Sequence, residues 1–331
     1  MGVMIDGVWH VEEPKPAEDD GRYKRQDSVL RDWITADGGP GPGGQRGFKA
    51  EVGRYHLFIS QSCPWAHRAW IFRILKGLET VVPMSIVVPM RDERGWVFDN
   101  SVAQYRDDVG GRDALNEYYR LGRSDYSGRV TVPVLWDRKT ETIVNNESSE
   151  IIRMFNSAFN GITGDKKELY PEDLREEIDA VNARTYQDLN NGVYRAGFAR
   201  TQEAYEEAFD QVFACLDWME ERLSASRYLC GGQLTEADWR SFPTLMRFDV
   251  AYVSAFKCNK RRLIDYPNLW GYARELYQQP GIAVSVFPDI YKRNYHSASP
   301  LRNPLGIYPK GPEIDFSGPH GRDAIGRQAA E

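Results

Sequence analysis

The sequence predicts an α/β domain with a mixed sheet, followed by an all-helical domain, and three observations carry that prediction. The apolar run Tyr55-His56-Leu57-Phe58-Ile59 leads into Ser62-Cys63-Pro64-Trp65 and an amphipathic stretch, so a strand hands over to a helix at a cysteine. Val130-Thr131-Val132-Pro133-Val134-Leu135-Trp136 reads as a strand interrupted by proline, with a turn and a second short strand after it. Beyond Leu169 the apolar spacing becomes helical and remains so. At 331 residues the chain is too long for one small core and suits two domains.

Residues 1–50 read as an irregular N-terminal extension, and Gly38-Gly39-Pro40-Gly41-Pro42-Gly43-Gly44 is a loop by composition. No Gly-Lys-Ser/Thr follows it, so it is not a phosphate loop. A domain over 51–160 then begins with the strand before Cys63 and a helix over 66–76, with Trp70, Ile71, Ile74 and Leu75 on its apolar side. Residues 81–88 read as a second strand, and the long aromatic-rich connection 90–128 holds a helix around 115–121. Proline inside a strand usually marks an edge. In thioredoxin-like folds a cis proline stands at this point, facing the reactive cysteine, and Pro133 fits that place. Thr142-Ile143-Val144 is the next strand, and Asn146-Glu147-Ser148-Ser149 opens a helix with Ile151, Ile152 and Phe155 apolar. The β-α-β then β-β-α order makes this domain thioredoxin-like. An all-helical domain over 168–287 follows, clearest at 174–186, 204–223, 236–252 and 269–277, with a Thr235-x-x-Asp238 capping pattern opening the third. Residues 288–331, rich in Pro and Gly, read as an extended tail.

Composition narrows the function classes. Lys+Arg number 42 against 48 Asp+Glu, a net charge of −6, and no basic run is long enough for a nucleic-acid surface. No apolar stretch approaches a membrane span. The start, Met1-Gly2-Val3-Met4-Ile5-Asp6, lacks the pattern of a signal peptide, and the cytoplasm is the expected location. Cys63, Cys215, Cys230 and Cys258 are scattered, which gives neither a zinc knuckle nor a disulfide framework, and no metal is expected. Cys215 lies on an apolar helix face and reads as a small core residue, while Cys230 and Cys258 stand in loop-like contexts.

Cys63 alone has the surroundings of a reactive thiol. The following helix offers unpaired N–H groups and a partial positive charge, which favour a thiolate nucleophile. His67 and Arg68, one turn on, read as a solvated helix face. Redox relatives carry Cys-x-x-Cys, but here the fourth position is Ala66, so the resolving thiol must come from solution. In cytoplasm the expected thiol is glutathione, a γ-Glu-Cys-Gly tripeptide. Strand residues up to Val132 can bond its backbone, Glu147 can pair with the γ-Glu amine, and Ser148 at a helix start can take the γ-Glu carboxylate.

At this point the sequence resembles the glutathionyl-hydroquinone reductases, the Xi-class glutathione transferases. The likeness covers nearly the whole chain. It takes in Ile5-Asp6-Gly7-Val8-Trp9, Trp33-Ile34-Thr35-Ala36-Asp37-Gly38, Ser62-Cys63-Pro64-Trp65-Ala66-His67-Arg68, Gly95-Trp96 and the segment from Ser127 to Asp137. It continues through Asn146-Glu147-Ser148, Asn190-Asn191-Gly192-Val193-Tyr194-Arg195-Ala196-Gly197-Phe198-Ala199, Arg247-Phe248-Asp249 and Asn303-Pro304. Cys-Pro-Trp also occurs in omega-class transferases; its combination with Asn-Asn-Gly-Val-Tyr and long extensions at both ends is far more specific. The resemblance implies a thioredoxin-like N-terminal domain and an all-α glutathione-transferase C-terminal domain. It implies Cys63 as nucleophile, Tyr194 as acid/base, and Tyr252 and Tyr295 as phenols that tune the cysteine toward thiolate. It also implies a glutathione site at Trp96, Arg129, Val130, Thr131, Val132, Glu147 and Ser148, glutathione as co-substrate, glutathionyl-hydroquinones as substrates, and a homodimer. Without the resemblance, three of the 18 tyrosines would read as core or surface aromatics. An omega-like thiol transferase or dehydroascorbate reductase would use the same cysteine and cradle. A non-catalytic binding module would have no reason to keep Cys63, Trp96 and Glu147-Ser148 together.

Overall fold

The structure is a computed structural model and describes residues 2–11, 20–299 and 302–325. The chain divides into two compact units, one comprising Met1–Pro14 and Asp27–Glu168, the other Lys15–Gln26 and Leu169–Glu331.

The opening fifty residues, expected to be irregular, carry four short strands in the first unit. β1 (Val3–Ile5) and β2 (Val8–His10) pair antiparallel across Asp6-Gly7. Both turn residues have positive φ, 47° and 76°, as a two-residue hairpin whose twist matches its strands requires. β3 (Trp33–Thr35) pairs in parallel with β4 (Gly47–Lys49), and the glycine-rich loop carries the chain between them. The hairpin is tied down at both sides. Met4 and Gly128 exchange backbone hydrogen bonds of 2.9 Å, and the Trp9 indole donates to the Glu93 carbonyl at 2.9 Å.

The core sheet of this unit has the order β6-β5-β7-β8, built from β5 (Tyr55–Ile59), β6 (Met84–Ile86), β7 (Val134–Asp137) and β8 (Thr142–Asn145). β5 runs parallel to β6 and antiparallel to β7, which pairs antiparallel with β8. Every residue of β5 and β7 is buried, consistent with continuous apolar runs in central strands. Helices α1 (Pro64–Leu75), α2 (Asn116–Gly122), α3 (Ser148–Ser157) and α4 (Asn160–Thr163) complete the unit, and α1 packs against α3. The Val132–Pro133 peptide is cis.

In the second unit the described helices are α5 (Arg175–Arg184), α6 (Gly192–Phe198), α7 (Gln202–Ala225) and α8 (Glu236–Arg247). They are followed by α9 (Val253–Ala255), α10 (Pro267–Tyr277) and α11 (Pro288–Tyr295). α7 buries Ala204, Ala208, Val212, Cys215, Leu216, Met219 and Leu223, a stripe at three- and four-residue spacing. At the start of α8, Asp238 accepts from the Thr235 N–H at 2.8 Å and also from the Leu229 N–H and the Tyr272 hydroxyl. The capping pattern is therefore part of a buried network.

The helices expected over 174–186 and 236–252 both end in a wider turn. The chain forms π-helical turns at Thr185–Asn190, between α5 and α6, and at Phe248–Tyr252, after α8. The tail expected to be extended from residue 288 begins with α11, whose Tyr291 and Tyr295 are buried. Further along, Phe316 packs on the rings of Trp270 and Tyr277. The buried Arg322 donates to the carbonyls of Leu223 (3.1 Å), Ser226 (2.8 Å) and Arg227 (2.8 Å) at the end of α7. A cation among the unpaired carbonyls of a helix C-terminus is favourable, and this holds the tail in place. Residues 326–331 of the tail lie outside the described residues.

Candidate active site

Cys63 stands where β5 ends and α1 begins. It is the N-cap residue, with extended backbone (φ −84°, ψ 120°) and proline after it. Proline is well placed there because the first helical N–H has no partner to lose. The thiol is half-buried and free, and Sγ lies 3.5 Å from the Val132 carbonyl oxygen, on the residue that precedes the cis proline. The Cys63 N–H donates to the Ser60 carbonyl at 3.1 Å, so the turn is closed by backbone. The other three cysteines belong to the second unit, are buried, and have their thiols pushed up by burial to about 12. Ala66 is buried within α1.

All seven residues expected to hold glutathione lie in the first unit. Trp96 is buried, with the Arg91 guanidinium 4.9 Å from its ring centre. Arg129 and Val130 are half-buried, and the Tyr126 hydroxyl donates to the Arg129 carbonyl at 2.9 Å. Thr131 bonds through its backbone N–H and C=O to the Tyr119 hydroxyl, at 3.2 and 3.0 Å. Val132 presents its carbonyl to Cys63.

Glu147, not Ser148, is the N-cap of α3. Its carboxylate accepts from the Ser149 N–H at 3.0 Å and the Ser149 hydroxyl at 2.9 Å, and Ser148 is the first helical residue. A carboxylate suits that position, since it satisfies an unpaired N–H at the positive end of the helix.

The solvated face expected for His67 and Arg68 does not exist, because both side chains are buried. Every residue from Pro64 to Phe72 is buried. The run Ala69-Trp70-Ile71-Phe72, apolar around the whole helix, was the available signal. Arg68 stacks over Trp65 at 4.6 Å, and its guanidinium reaches the Ser148 hydroxyl at 3.5 Å, linking the start of α1 to the start of α3.

The three candidate tyrosines lie in the second unit and meet. The Tyr194 and Tyr295 hydroxyls are 2.6 Å apart, and those of Tyr295 and Tyr252 are 3.2 Å apart, so Tyr295 is the middle of a three-phenol chain. Tyr194 is half-buried, Tyr252 and Tyr295 are buried. Burial, then the neighbouring phenols, raise the Tyr252 pKa well above the ordinary tyrosine value, so it keeps its proton at neutral pH. Tyr194 follows one π-helical turn and Tyr252 ends the other. Such turns often mark functional positions in helices. Phe256 lies 5.4 Å from each of the three rings. A Cβ at Gly197 would stand 2.2 Å from the Phe256 ring, which is why the motif needs glycine there. Chemically, the first unit offers a nucleophilic sulfur beside backbone acceptors, and the second a hydroxyl chain able to donate a proton and redistribute the next.

Comparison with known proteins agrees across the whole chain. Residues 62–158 match the glutathione S-transferase N-terminal domain, and residues 202–275 the glutathione S-transferase C-terminal domain. The chain is 49% identical to the glutathionyl-hydroquinone reductase YqjG of Escherichia coli K12, covering 98% of this chain and 99% of that one. It is 46% identical to the glutathionyl-hydroquinone reductase PcpF of Sphingobium chlorophenolicum, over 96% and 98% of the two chains. The glutathione-bound structure of YqjG superposes with a TM-score of 0.89 at 48% identity, covering 98% and 99%. The Xi-class transferase of Natrialba magadii also gives 0.89, at 42% identity and coverage of 98% and 97%. Given a thioredoxin-like unit with a lone half-buried cysteine, a helical unit with three linked phenols, and these full-length likenesses, the chain belongs to the glutathionyl-hydroquinone reductases, the Xi class of glutathione transferases.

Proposed function

We propose that this protein removes glutathione from glutathionyl-hydroquinones, giving the hydroquinone and oxidised glutathione. Near full-length identity to two glutathionyl-hydroquinone reductases carries this reading. The position of Cys63 supports it, since a thiolate at a helix N-terminus is a ready nucleophile. The Cys63 thiolate attacks the substrate's sulfur, forming a Cys63–glutathione disulfide as the carbon–sulfur bond breaks. The electron pair goes to the aromatic carbon, which takes up a proton, and Tyr194 is the proposed donor. A glutathione thiolate then attacks the mixed disulfide, leaving as oxidised glutathione and restoring Cys63. Two half-reactions at one sulfur give ping-pong kinetics. The chemistry calls on glutathione as co-substrate and on no metal.

Trp96, Arg129, Val130, Thr131, Val132, Glu147 and Ser148 are the proposed glutathione site. Tyr252 and Tyr295 are proposed to favour the thiolate, an assignment supported by the family relationship. A homodimer and a cytoplasmic location complete the proposal; light scattering checks the first and fractionation the second. Mass spectrometry after incubation with a glutathionyl-hydroquinone alone tests the central step. A glutathione adduct on Cys63 together with released hydroquinone is expected, and an unmodified protein refutes the mechanism. An omega-like activity has its own support, in 42% identity to an omega-like transferase of Schizosaccharomyces pombe over 88% of this chain and 94% of that one. Faster turnover of dehydroascorbate than of a glutathionyl-hydroquinone would favour it.

A further inference from the structure

The long connection between β6 and β7 carries a phenol that bonds to two separate parts of the proposed glutathione site. Tyr119, on α2, is fully buried. Its hydroxyl donates to the Thr131 carbonyl at 3.0 Å, accepts from the Thr131 N–H at 3.2 Å, and accepts from the Asn146 amide at 3.2 Å. A phenol has one donor and two acceptor sites, so these three bonds fill its capacity, and the Thr131 hydroxyl, 3.3 Å away, shares in them as a fourth, weaker contact. By bonding both backbone groups of Thr131, the phenol stands in for a neighbouring strand along that residue. The next carbonyl, that of Val132, is left facing Cys63. On the other side, Asn146 immediately precedes Glu147 and Ser148, the cap and first residue of α3. The same asparagine is fixed from behind, its N–H donating to the Leu30 carbonyl at 3.0 Å. We propose that Tyr119 is a positioning residue for glutathione, holding the Arg129–Val132 segment and the Glu147-Ser148 helix start at one fixed separation.

Two further observations fit that role. Tyr126 packs on Tyr119 with ring centres 5.0 Å apart and donates to the Arg129 carbonyl, so two neighbouring phenols fix two successive parts of one segment. Burial raises the Tyr119 pKa above the ordinary tyrosine value, which keeps the hydroxyl able to donate. A tripeptide bound at its backbone by one segment and at its γ-Glu end by the other needs their spacing set before it arrives, and preorganisation of that kind appears in affinity.

The inference rests on the proposed glutathione chemistry, and titration calorimetry with glutathione separates the two. Failure of the wild-type protein to bind glutathione would sink the underlying reading. With binding established, Tyr119→Phe should weaken glutathione affinity about tenfold, the weight of a lost hydrogen bond with its partners left buried. In turnover, the KM for glutathione should rise by a similar factor while kcat and the rate of Cys63 alkylation stay within about twofold, because no reacting atom is touched. The control is Tyr118→Phe, which deletes the adjacent buried hydroxyl, bonded to Asp107 at 2.6 Å, and leaves Thr131 and Asn146 alone. Equal weakening by both variants, or none by Tyr119→Phe, overturns the proposal. Should Tyr119→Phe not fold, Asn146→Ser removes the amide that donates to Tyr119 without adding a charge. It should weaken binding in the same direction, and unchanged affinity there counts equally against the idea.

Discussion

Cys63 and Tyr194 stand in surroundings built on different principles. The thiol is held by backbone: its own N–H closes on Ser60, its carbonyl accepts from His67, and its sulfur faces the Val132 carbonyl. The phenol is held by side chains: its hydroxyl meets Tyr295, which meets Tyr252, around the ring of Phe256. Backbone contacts survive substitution of the residues that make them, so the first arrangement depends on one atom, the sulfur. A side-chain network spreads its function over several members, and loss of one weakens the rest by degrees.

The sharpest break of that contrast comes at the sulfur. Cys63→Ser should reduce deglutathionylation to background, since a serine hydroxyl is protonated at neutral pH and cannot form the mixed disulfide. Glutathione binding by calorimetry should remain. Measurable turnover by the serine variant would mean that some other group is the nucleophile. Tyr194→Phe should slow hydroquinone release by roughly 10²–10⁴-fold, the usual weight of a general acid. Reduction of a simple glutathione disulfide, whose leaving thiolate needs little help, should fall far less. Equal losses on both substrates would assign Tyr194 to shaping the pocket or tuning the thiol.

Two smaller effects test the scaffolds. In the first unit, buried His56 bonds Ser85 at 2.9 Å, and burial above all lowers its pKa from 6.5 to about 4. The unfolded chain therefore takes up this proton near pH 6.5 and the folded chain only near 4. Stability falls as pH drops through that window, by about 3 kcal/mol in all, and this contribution levels off below it. His56→Gln should flatten that slope in denaturant titrations; an unchanged slope would place the acid sensitivity elsewhere. In the second unit, Arg322→Met removes the cation from the end of α7 and should cost about 2 kcal/mol, read as a lower Tm. No change in Tm would show that Phe316 and the bonds from Arg274 and Gln278 to tail carbonyls dock the tail without Arg322.

Much of the first unit was legible because its signals are local. Cys63-Pro64 marks the junction of strand and helix, Pro133 the turn facing it, and alternating or continuous apolar runs the strands between. Asp6-Gly7 is an equally local hairpin signal, although the first fifty residues as a whole read as irregular. Other features have no local signal. Tyr194 and Tyr295 stand 101 residues apart, and no spacing rule brings them together; the family resemblance supplied them. The π-helical turn at Phe248–Tyr252 is buried on every side and so carries no periodic signal, which is why 236–252 reads as one helix. Arg68 and Tyr119 are polar groups satisfied by partners distant in sequence, and hydrophobic patterning places such residues at the surface by default.

The division of the chain has a consequence for how the protein is made. The chain starts in the first unit, enters the second for residues 15–26, returns for 27–168, and finishes in the second. Arg22 is thus synthesised 185 residues before its partner Glu207, and Arg322 follows Leu223 by 99. On the ribosome, the thioredoxin-like unit has all its residues once Glu168 has emerged, while the helical unit waits for Arg322 to close the end of α7. A nascent chain stalled between those points carries every residue of the first unit and only part of the second. A single cut after Glu168 therefore releases every residue of the first unit, whereas no single cut yields the second whole, because residues 15–26 of it stay behind with the first.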